Sequence, residues 1–266
     1  MALSTFYWDP DSGLRNPLRR RRFRVGNAGD LFNRDLIEWA YGPVKIRNSE
    51  SVGGRLLLVG SIAQRAGAGD LLNGVGAKRA DLPRDSGQMT VRGVRGPLTA
   101  KALADSGQDV SKLEFMGDPG MLIGKIFPHL NVIRPTPGRV LFIPHYRERD
   151  QFSSTEDYAI CDIDAEPESV GRAICESEVI IASSLHGVIW AHALGRPGIV
   201  VTPRTEEPIM KYRDYYESIG ATWSPFDDVD DAVRAAAAAS APEVSRVVES
   251  ITMPHESVLR ESGILR

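Results

Sequence analysis

The sequence predicts an α/β fold built around a parallel sheet. Glu178–Ala182 is a short apolar stretch rich in β-branched residues, which is typical of a buried strand. Apolar residues then recur at helical spacing over 188–194, and Gly195 with Pro197 ends that helix. Gly198–Val201 predicts the next buried strand. A strand, a tight turn, a helix and a second strand, in this order, form the repeating unit of parallel sheets.

The tight turn of this unit predicts an anion-binding site. Ser183, Ser184 and His186 follow the carboxyl end of the strand, where ligands bind in sheets of this kind. Two hydroxyls, one imidazole and the amides of a helix N-terminus suit an anion. Two plainer interpretations stay open: Ser183 is a simple N-cap, or His186 only satisfies a carbonyl. His192 lies nearly opposite His186 on the helix, so we expect it to be structural and the two to share no metal.

Length and composition suit a globular protein with one large domain or two modest ones. The chain has 266 residues, of which 42% are hydrophobic and 25% charged. A net charge of −3 argues against nucleic acid as a partner. Cys161 and Cys175 give no metal framework and fit a reducing compartment. Because we find neither a targeting segment nor an apolar stretch long enough to span a bilayer, we expect a cytoplasmic protein.

A cluster of arginines departs from this ordinary charge pattern. Arg19–Arg22 are consecutive, and Arg24 follows closely. Such a run is either a solvated loop or a contact for an anionic membrane face or for a pyrophosphate-bearing substrate.

The N-terminal part alternates predicted strands with glycine-rich turns. Leu3–Trp8 predicts the first strand, and after a polar loop the turn Gly26–Asp30 leads into an amphipathic helix. Glycines in this turn let a ligand approach the backbone closely. Asp30 is either a favourable acidic residue at the start of the helix or an acid/base or acceptor-binding group.

Two further strand ends carry candidate ligand-binding groups. The predicted strand Arg55–Ile62 contains Gly60 and Ser61 near its end, where the backbone meets a ligand or forms an ordinary turn. A later short strand leads into a helix with Pro97 in its first turn. Arg95 places a cation at the positive end of that helix, so it either binds an anion or forms a surface salt bridge.

The C-terminal part begins after a predicted linker, Pro135–Gly138, which precedes the fresh strand Arg139–Ile143. His145 and Arg147 follow that strand and therefore lie at the same kind of sheet edge as the serine turn. Lys211, at the start of a later helix, either completes the anion site or is a surface cation. The remaining predicted elements are the strand Ile160–Ile163 and the helices Pro167–Glu176, Lys211–Gly220, Asp230–Ser240 and Glu243–Ile251.

Taken in order, these turns resemble the motifs of the polysaccharide pyruvyltransferases. The order and spacing match over residues 3–220, and the early Gly-Asn-x-Gly-Asp with the short length is most similar to bacterial exopolysaccharide members. The matching segments are Gly26–Asp30, Val59–Ile62, Val94–Thr99, Gly117–Pro119, Ile143–Tyr146, Ser183–Gly187 and Lys211–Tyr216.

The resemblance implies a fold of two Rossmann-like domains facing a cleft, as in the GT-B glycosyltransferases. Residues 1–136 would form the acceptor side and residues 137–266 the donor side, with the last helices free to pack back on the N-terminal domain. It also implies phosphoenolpyruvate as donor, a sugar of a lipid-linked repeat unit or growing glycan as acceptor, and a cyclic pyruvate ketal and phosphate as products. No metal, nucleotide or other cofactor is implied. We expect the protein to be cytoplasmic, with the cluster Arg19–Arg24 as the place of transient contact with the inner face of the plasma membrane, where lipid-linked acceptors would lie.

The resemblance also implies the site residues. Phosphoenolpyruvate carries about three negative charges, so its site needs cations, imidazoles and helix amides. His186 would bind phosphate or carboxylate, with general acid as a second role, and Asp30 would orient or deprotonate the acceptor hydroxyl. Donor-binding candidates are Arg95, His145, Arg147, Ser183, Ser184, Leu185, His186, Gly187 and Lys211; acceptor-binding candidates are Asn27, Gly29, Asp30, Gly60 and Ser61.

This chain departs from the family pattern at two positions. Many relatives carry Arg where it has Ser184 and Asp where it has Gly96. Arg147 or Arg149 is the expected replacement for the missing cation, and Arg95 needs a different partner.

Two alternatives belong to other classes of protein. A GT-B glycosyltransferase using a nucleotide sugar would share the cleft, but it needs a ribose-binding carboxylate, and we see no clear Glu in the turn expected to carry it. An inactive glycan-binding subunit is supported only by the two departures.

Overall fold

The computed structural model describes residues 1–9, 23–84 and 86–266, so Arg19–Arg22 of the arginine cluster lie outside the described residues. It is an α/β protein with two parallel sheets, as the sequence predicts. The strands are β1 (Ala2–Thr5), β2 (Lys45–Asn48), β3 (Leu56–Leu57), β4 (Leu71–Val75), β5 (Thr90–Val94), β6 (Phe115–Met116), β7 (Thr136–Ile143), β8 (Ala159–Ile160), β9 (Ser177–Ala182) and β10 (Gly198–Val200).

Five of the helices within the described residues lie between strands in the chain, and the last four follow β10. The helices are α1 (Ala28–Tyr41), α2 (Pro97–Asp105), α3 (Ile123–Ile126), α4 (Pro167–Cys175), α5 (Leu185–Ala193), α6 (Met210–Ser218), α7 (Val229–Ala235), α8 (Ser245–Ser250) and α9 (Glu256–Glu261).

The first sheet has six strands in the order β2-β1-β3-β4-β5-β6, and the second has four in the order β10-β9-β7-β8. Every pairing within both sheets is parallel. The strands therefore end at a common edge of each sheet, which is where parallel sheets bind ligands.

Helix α5 explains how the two sheets come together. All residues from Leu185 to His192 are buried, so the helix is enclosed on every side. Its Trp190 packs edge-on against Phe32 of α1, with ring centroids 5.6 Å apart. Both side chains belong to a hydrophobic cluster that includes Leu3 of the first sheet and Leu141 of the second. This packing places the N-termini of α1 and α5 side by side.

The C-terminal segment packs on the first sheet. Backbone hydrogen bonds run from the Ala2 amide to the Arg266 carbonyl (2.6 Å) and from the Arg266 amide to the Ala2 carbonyl (2.9 Å). The Tyr41 hydroxyl of α1 donates to the Pro254 carbonyl over 2.9 Å. These contacts fasten the end of the chain beside β1.

Tyr41→Phe tests this attachment. The variant keeps the ring but leaves the buried Pro254 carbonyl without its donor, so we expect unfolding to cost about 1 kcal/mol less. Urea denaturation measures the difference, with the midpoint lowered and the slope unchanged. A variant as stable as the wild type would show that this hydrogen bond does not anchor the segment.

Several elements differ from the sequence predictions. The predicted linker Pro135–Gly138 is largely strand, because β7 begins at Thr136 and pairs there with Ser177 of β9. The strand predicted over Arg55–Ile62 is paired only at Leu56–Leu57, and the rest is an extended, buried loop. Strand β2 was not predicted, since its four residues alternate between exposed and half-buried at a sheet edge. The alanine run leaves the α-helix after Ala235.

Candidate active site

Polar side chains from both sheets meet where the strands end. The first sheet contributes Ser61 after β3, Lys78 after β4 and Arg95 after β5. The second contributes His145 after β7 and the serine turn after β9. Helix N-termini add Asp30 of α1, His186 of α5 and Lys211 of α6.

His186 is held against the backbone of α1. A methyl group added at Gly29 would lie 2.0 Å from its Nδ1, so the ring occupies the space that any other residue at this position would fill. Its Nε2 is buried and has no hydrogen-bond partner among the described residues. Burial, with the charges of Arg95 and Lys211, lowers the pKa of His186 to about 3. The imidazole is therefore neutral at neutral pH, and its buried Nε2 is left without a protein partner among the described residues.

Asp30 follows Gly29 and is set up as an acid or base. Burial raises the pKa of its carboxyl group to about 7, although the charges of Lys211 and Lys78 act to lower it. The helix does not need this carboxylate as a cap, because the Asn27 side chain accepts a hydrogen bond from the Gly29 amide over 3.0 Å. A group that exchanges protons with a hydroxyl near neutral pH needs a pKa close to that pH.

Three cations surround one buried carboxylate, that of Glu207. Arg147 Nη1 lies 2.7 Å from its Oε1, and the Nζ atoms of Lys211 and Lys78 lie 3.0 Å and 3.1 Å from its Oε2. His145 Nε2 is 3.8 Å from Oε1. We call Lys78, Arg147 and Lys211 the cation cluster. Its members come from both halves of the chain.

The electrostatics of this cluster favour anions. Burial alone would raise the pKa of Glu207, but Lys211 and the other positive neighbours lower it to about 2. Burial lowers the pKa of Lys211 to about 8 against the attraction of Glu207. Burial and the Lys211 charge together lower the pKa of His145 to about 3. With Glu207 counted, the cluster keeps an excess of positive charge.

Arg95 is bound inside the protein by an internal anion. Its Nε lies 3.0 Å from Asp214 Oδ2 and its Nη1 donates to Ser61 Oγ over 2.7 Å; both charged side chains are fully buried. Asp214 also accepts from the Thr99 amide at the start of α2, over 2.9 Å. The anion expected beside Arg95 is thus the side chain of Asp214. The salt bridge that Arg95 forms is buried and does not lie at the surface.

The departure at Gly96 has a structural reason. A methyl group added there would lie 2.0 Å from the Asp214 carbonyl oxygen and 2.7 Å from its Oδ1. No side chain fits at position 96 while Asp214 is in place. Asp214 is therefore the different partner that Arg95 was expected to need.

Ser183 has a structural role in the serine turn. Its hydroxyl donates to Glu148, accepts from the His145 amide (2.8 Å), and its carbonyl accepts from the Tyr212 hydroxyl (2.5 Å). The N-cap of α5 is Ser184, so the interpretation of Ser183 as the N-cap is wrong. The Ser184 side chain makes no capping hydrogen bond.

The chain is similar to known proteins over part of its length. Residues 87–204 match the family described as "Polysaccharide pyruvyl transferase". The succinoglycan biosynthesis protein ExoV of Rhizobium meliloti (strain 1021) is 30% identical over 214 residues, which cover 75% of this chain and 64% of that protein. The chain is thus similar to the polysaccharide pyruvyltransferase family over residues 87–204.

A second relative is an uncharacterized protein of Acanthamoeba polyphaga mimivirus, which is 31% identical over 142 residues, covering 48% of this chain and 47% of that protein. The matched part of the chain thus spans less than two thirds of the length of the first of these curated relatives and about half of the second. No solved structure matches the chain at a significant level.

The remaining family positions divide between packing and the site. Leu185 is buried, and a methyl group at Gly187 would lie 3.0 Å from Ala182 Cβ, so these two residues let α5 pack on the second sheet. Gly60 brings its backbone beside Asp30, since a Cβ there would lie 3.6 Å from Oδ1. His192 is structural, as expected: its Nδ1 lies 3.0 Å from the Tyr215 hydroxyl.

Sequence reasoning missed Lys78, Glu148, Glu207 and Asp214. Lys78, Glu148 and Glu207 lie outside the family motifs named above. Asp214 lies within the Lys211–Tyr216 stretch, but it was not singled out there. Two Glu residues, Glu148 and Glu207, do follow strands of the second half. Both carboxylates are engaged, one by Ser183 and the other by the cation cluster, so neither is free to bind a ribose.

The part of the chain that the structure describes contains neither a metal-binding cluster nor a membrane-spanning helix. No group of three or more His, Cys, Asp or Glu side chains is arranged there to hold a metal ion. None of the helices in residues 1–9, 23–84 and 86–266 is both long and apolar enough to cross a membrane.

Proposed function

We propose that this chain transfers pyruvate from phosphoenolpyruvate to a sugar of an exopolysaccharide or other cell-surface glycan, forming a cyclic ketal and releasing phosphate. The observation that carries the proposal is the cation cluster beside the neutral, unpartnered His186 and the titratable Asp30. The family match over residues 87–204 and the relative named for succinoglycan biosynthesis support the same proposal.

Charge supports this choice of donor. Phosphoenolpyruvate carries about −2 on its phosphate and −1 on its carboxylate. Lys78, Arg147 and Lys211 supply three positive charges within one small region. The first amides of α5 and the Nε2 of His186 add uncharged hydrogen-bonding groups, and charge-assisted hydrogen bonds to such groups are the strong ones.

The proposed reaction needs one proton delivered to carbon and two removed from hydroxyls. Protonation of the methylene carbon makes it a methyl group and leaves the central carbon electrophilic. One sugar hydroxyl attacks that carbon and loses its proton, the carbon–oxygen bond to phosphate breaks, and a second hydroxyl closes the ring and loses its own proton. Asp30 is our candidate for taking a hydroxyl proton, since its pKa of about 7 lets it do so near neutral pH.

His186 is our candidate for holding the donor. As a neutral imidazole it binds through a hydrogen bond, and the arrival of a polyanion raises its pKa and favours the imidazolium. That cation is the general acid of the proposed second role. Arg95, in contrast, is bound by Asp214 and would act by holding Ser61 and α2 in place.

The setting of the reaction is also part of the proposal. Residues 1–136 and 137–266 are proposed as two Rossmann-like domains of a GT-B-like arrangement, with acceptor groups Asn27, Gly29, Asp30, Gly60 and Ser61 on the first. A lipid-linked acceptor would be reached from the cytoplasmic face of the membrane, with the cluster Arg19–Arg24 attracted to anionic lipid. No metal or other cofactor is needed for these steps.

Thermal unfolding tests the donor directly. Phosphoenolpyruvate at about 100 times its Kd should stabilise the protein by about 2.7 kcal/mol. A nucleotide sugar at the same concentration should leave the Tm unchanged. Stabilisation by the nucleotide sugar and not by phosphoenolpyruvate would instead favour a glycosyltransferase of the same family of folds.

The titration of Asp30 predicts a pH dependence of stability. Because its pKa is raised from 3.8 to about 7, the folded chain binds more protons than the unfolded chain within that window. The stabilisation present below pH 3.8 is therefore lost as pH rises towards 7. Relative to Asp30→Asn, the wild type should lose stability from pH about 4 to about 7 in urea titrations and change little above it. A constant difference across this window would show that Asp30 has an ordinary pKa.

A further inference from the structure

Glu207 occupies the place that an anionic ligand would take. Its carboxylate accepts from Lys211 over 3.0 Å, lies 2.7 Å from Arg147 Nη1 and 3.1 Å from Lys78 Nζ, and is 1% exposed. Burying any one of these charges without a partner would be costly. Glu207 thus neutralises part of the cluster in the ligand-free chain.

The balance of charge indicates that the Glu207 carboxylate and the donor compete for the same three cations. Three cations match the charge of about −3 on phosphoenolpyruvate. If Glu207 stayed in contact with them, a fourth negative charge would repel the ligand at close range. Binding is therefore favoured when the Glu207 carboxylate moves away.

The backbone around Glu207 permits this movement. The segment before it is fixed by the Thr202 amide, which donates to Phe226, and by the Arg204 amide, which donates to Glu148. Beyond Arg204, the Glu207 amide makes only a local bond to the Thr205 carbonyl within the described residues. The buried Thr205 hydroxyl has no partner there either. The carboxylate of Glu207 itself holds this stretch to the site.

We propose that Glu207 is a resident counterion that the donor displaces, and that Lys78, once released, binds the donor's anionic group. This inference rests on the proposed function for the identity of the donor. It adds Lys78, from the first half of the chain, to the donor contacts and makes Glu207 a determinant of affinity. Lys78 is about one third exposed, so it is accessible to an incoming ligand.

Calorimetry at low salt with phosphoenolpyruvate and with inorganic phosphate tests the displacement. Glu207→Gln should bind both anions at least about tenfold more tightly than the wild type, because no competing charge has to leave. Glu206→Gln is the matched control, since Glu206 is the exposed neighbour of the same type, and it should bind as the wild type does. Equal or weaker binding by Glu207→Gln would overturn the inference and show that Glu207 only organises the cations.

Glu207→Asp separates displacement from a general charge effect. It keeps the charge but withdraws the carboxylate by one methylene, so it should also bind more tightly than the wild type. Wild-type affinity in Glu207→Asp, together with tighter binding by Glu207→Gln, would overturn the displacement. It would leave only a long-range repulsion.

A double-mutant cycle tests Lys78. Lys78→Met should weaken binding of both anions in the Glu207→Gln background, and weaken it less in the wild type, where loss of Lys78 also makes Glu207 easier to displace. If it has no effect in that background, Lys78 serves Glu207 alone and the second part of the inference fails.

Measuring both phosphate and phosphoenolpyruvate distinguishes a failure of this inference from a failure of the proposed function. Phosphate bound more tightly by Glu207→Gln, without binding of phosphoenolpyruvate by any variant, would support the counterion and overturn the donor. Phosphoenolpyruvate bound equally by wild type and Glu207→Gln would support the donor and overturn the counterion. No binding of either anion to either protein would overturn both.

Discussion

Gly29→Ala is expected to weaken phosphoenolpyruvate binding at least about tenfold, as loss of the His186 ring does, while leaving α1 at least as stable. The added methyl group would lie 2.0 Å from His186 Nδ1, so the imidazole has to leave its position. The variant should therefore lose the contribution of His186 to binding, at least about tenfold or 1.4 kcal/mol. Alanine is a better helix former than glycine by about 1 kcal/mol, which works against any loss of helix stability.

Two controls make this prediction specific to His186. Glu38→Ala changes an exposed position of the same helix and should bind the donor normally. In a His186→Ala background, Gly29→Ala should have no further effect, because the ring it displaces is absent. Calorimetry with phosphoenolpyruvate measures each affinity. Normal binding by Gly29→Ala would show that the position of His186 does not matter to the donor.

Asp214→Ala is expected to destabilise the protein by about 3–5 kcal/mol, because it leaves the fully buried Arg95 without a counterion. It also removes the acceptor for the Thr99 amide and hydroxyl at the start of α2. For a chain of this size such a loss lowers the Tm by roughly 10 °C. Since Asp214 lies on α6 and Arg95 follows β5, the variant also loses an ion pair that joins the two halves of the chain.

The matched control is Asp105→Ala, which removes a carboxylate from the exposed pair with Lys101 at the other end of α2. Such a pair contributes about 0.3–0.5 kcal/mol. Replacing both buried partners, as Arg95→Met with Asp214→Leu, should cost less than Asp214→Ala alone, because no unpaired charge remains. A Tm for Asp214→Ala close to that of Asp105→Ala would contradict a structural role for this pair.

Local patterns were sufficient for the part of the fold that surrounds the serine turn. The strand β9, the helix α5 and the strand β10 lie where the apolar periodicity and the Gly195 stop signal place them. Strand β2 escaped prediction because a short edge strand buries too little to leave an apolar pattern. The linker at Pro135–Gly138 was misplaced because proline and glycine also occur in the first residues of a strand, here the exposed start of β7.

The candidate site could be predicted only in part, for a related reason. Arg95 before a helix start predicts an anion, but the partner lies 119 residues away on α6, and no local pattern names it. Arg55 and Asp70 form another fully buried pair of this kind that the sequence did not indicate. Glu207 was missed because its role depends on cations that three separate segments supply. Partners distant in sequence become visible only when the fold is known.

The most direct test of the account is calorimetry of phosphoenolpyruvate binding at low salt, in the wild type and in His186→Ala. The wild type should bind in the micromolar range, on the order of −8 kcal/mol. His186→Ala should lose at least about tenfold in affinity, or 1.4 kcal/mol. His129→Ala, at an exposed histidine outside the site, should bind as the wild type does. A wild type that does not bind phosphoenolpyruvate, or a His186→Ala variant that binds it equally well, would contradict the account.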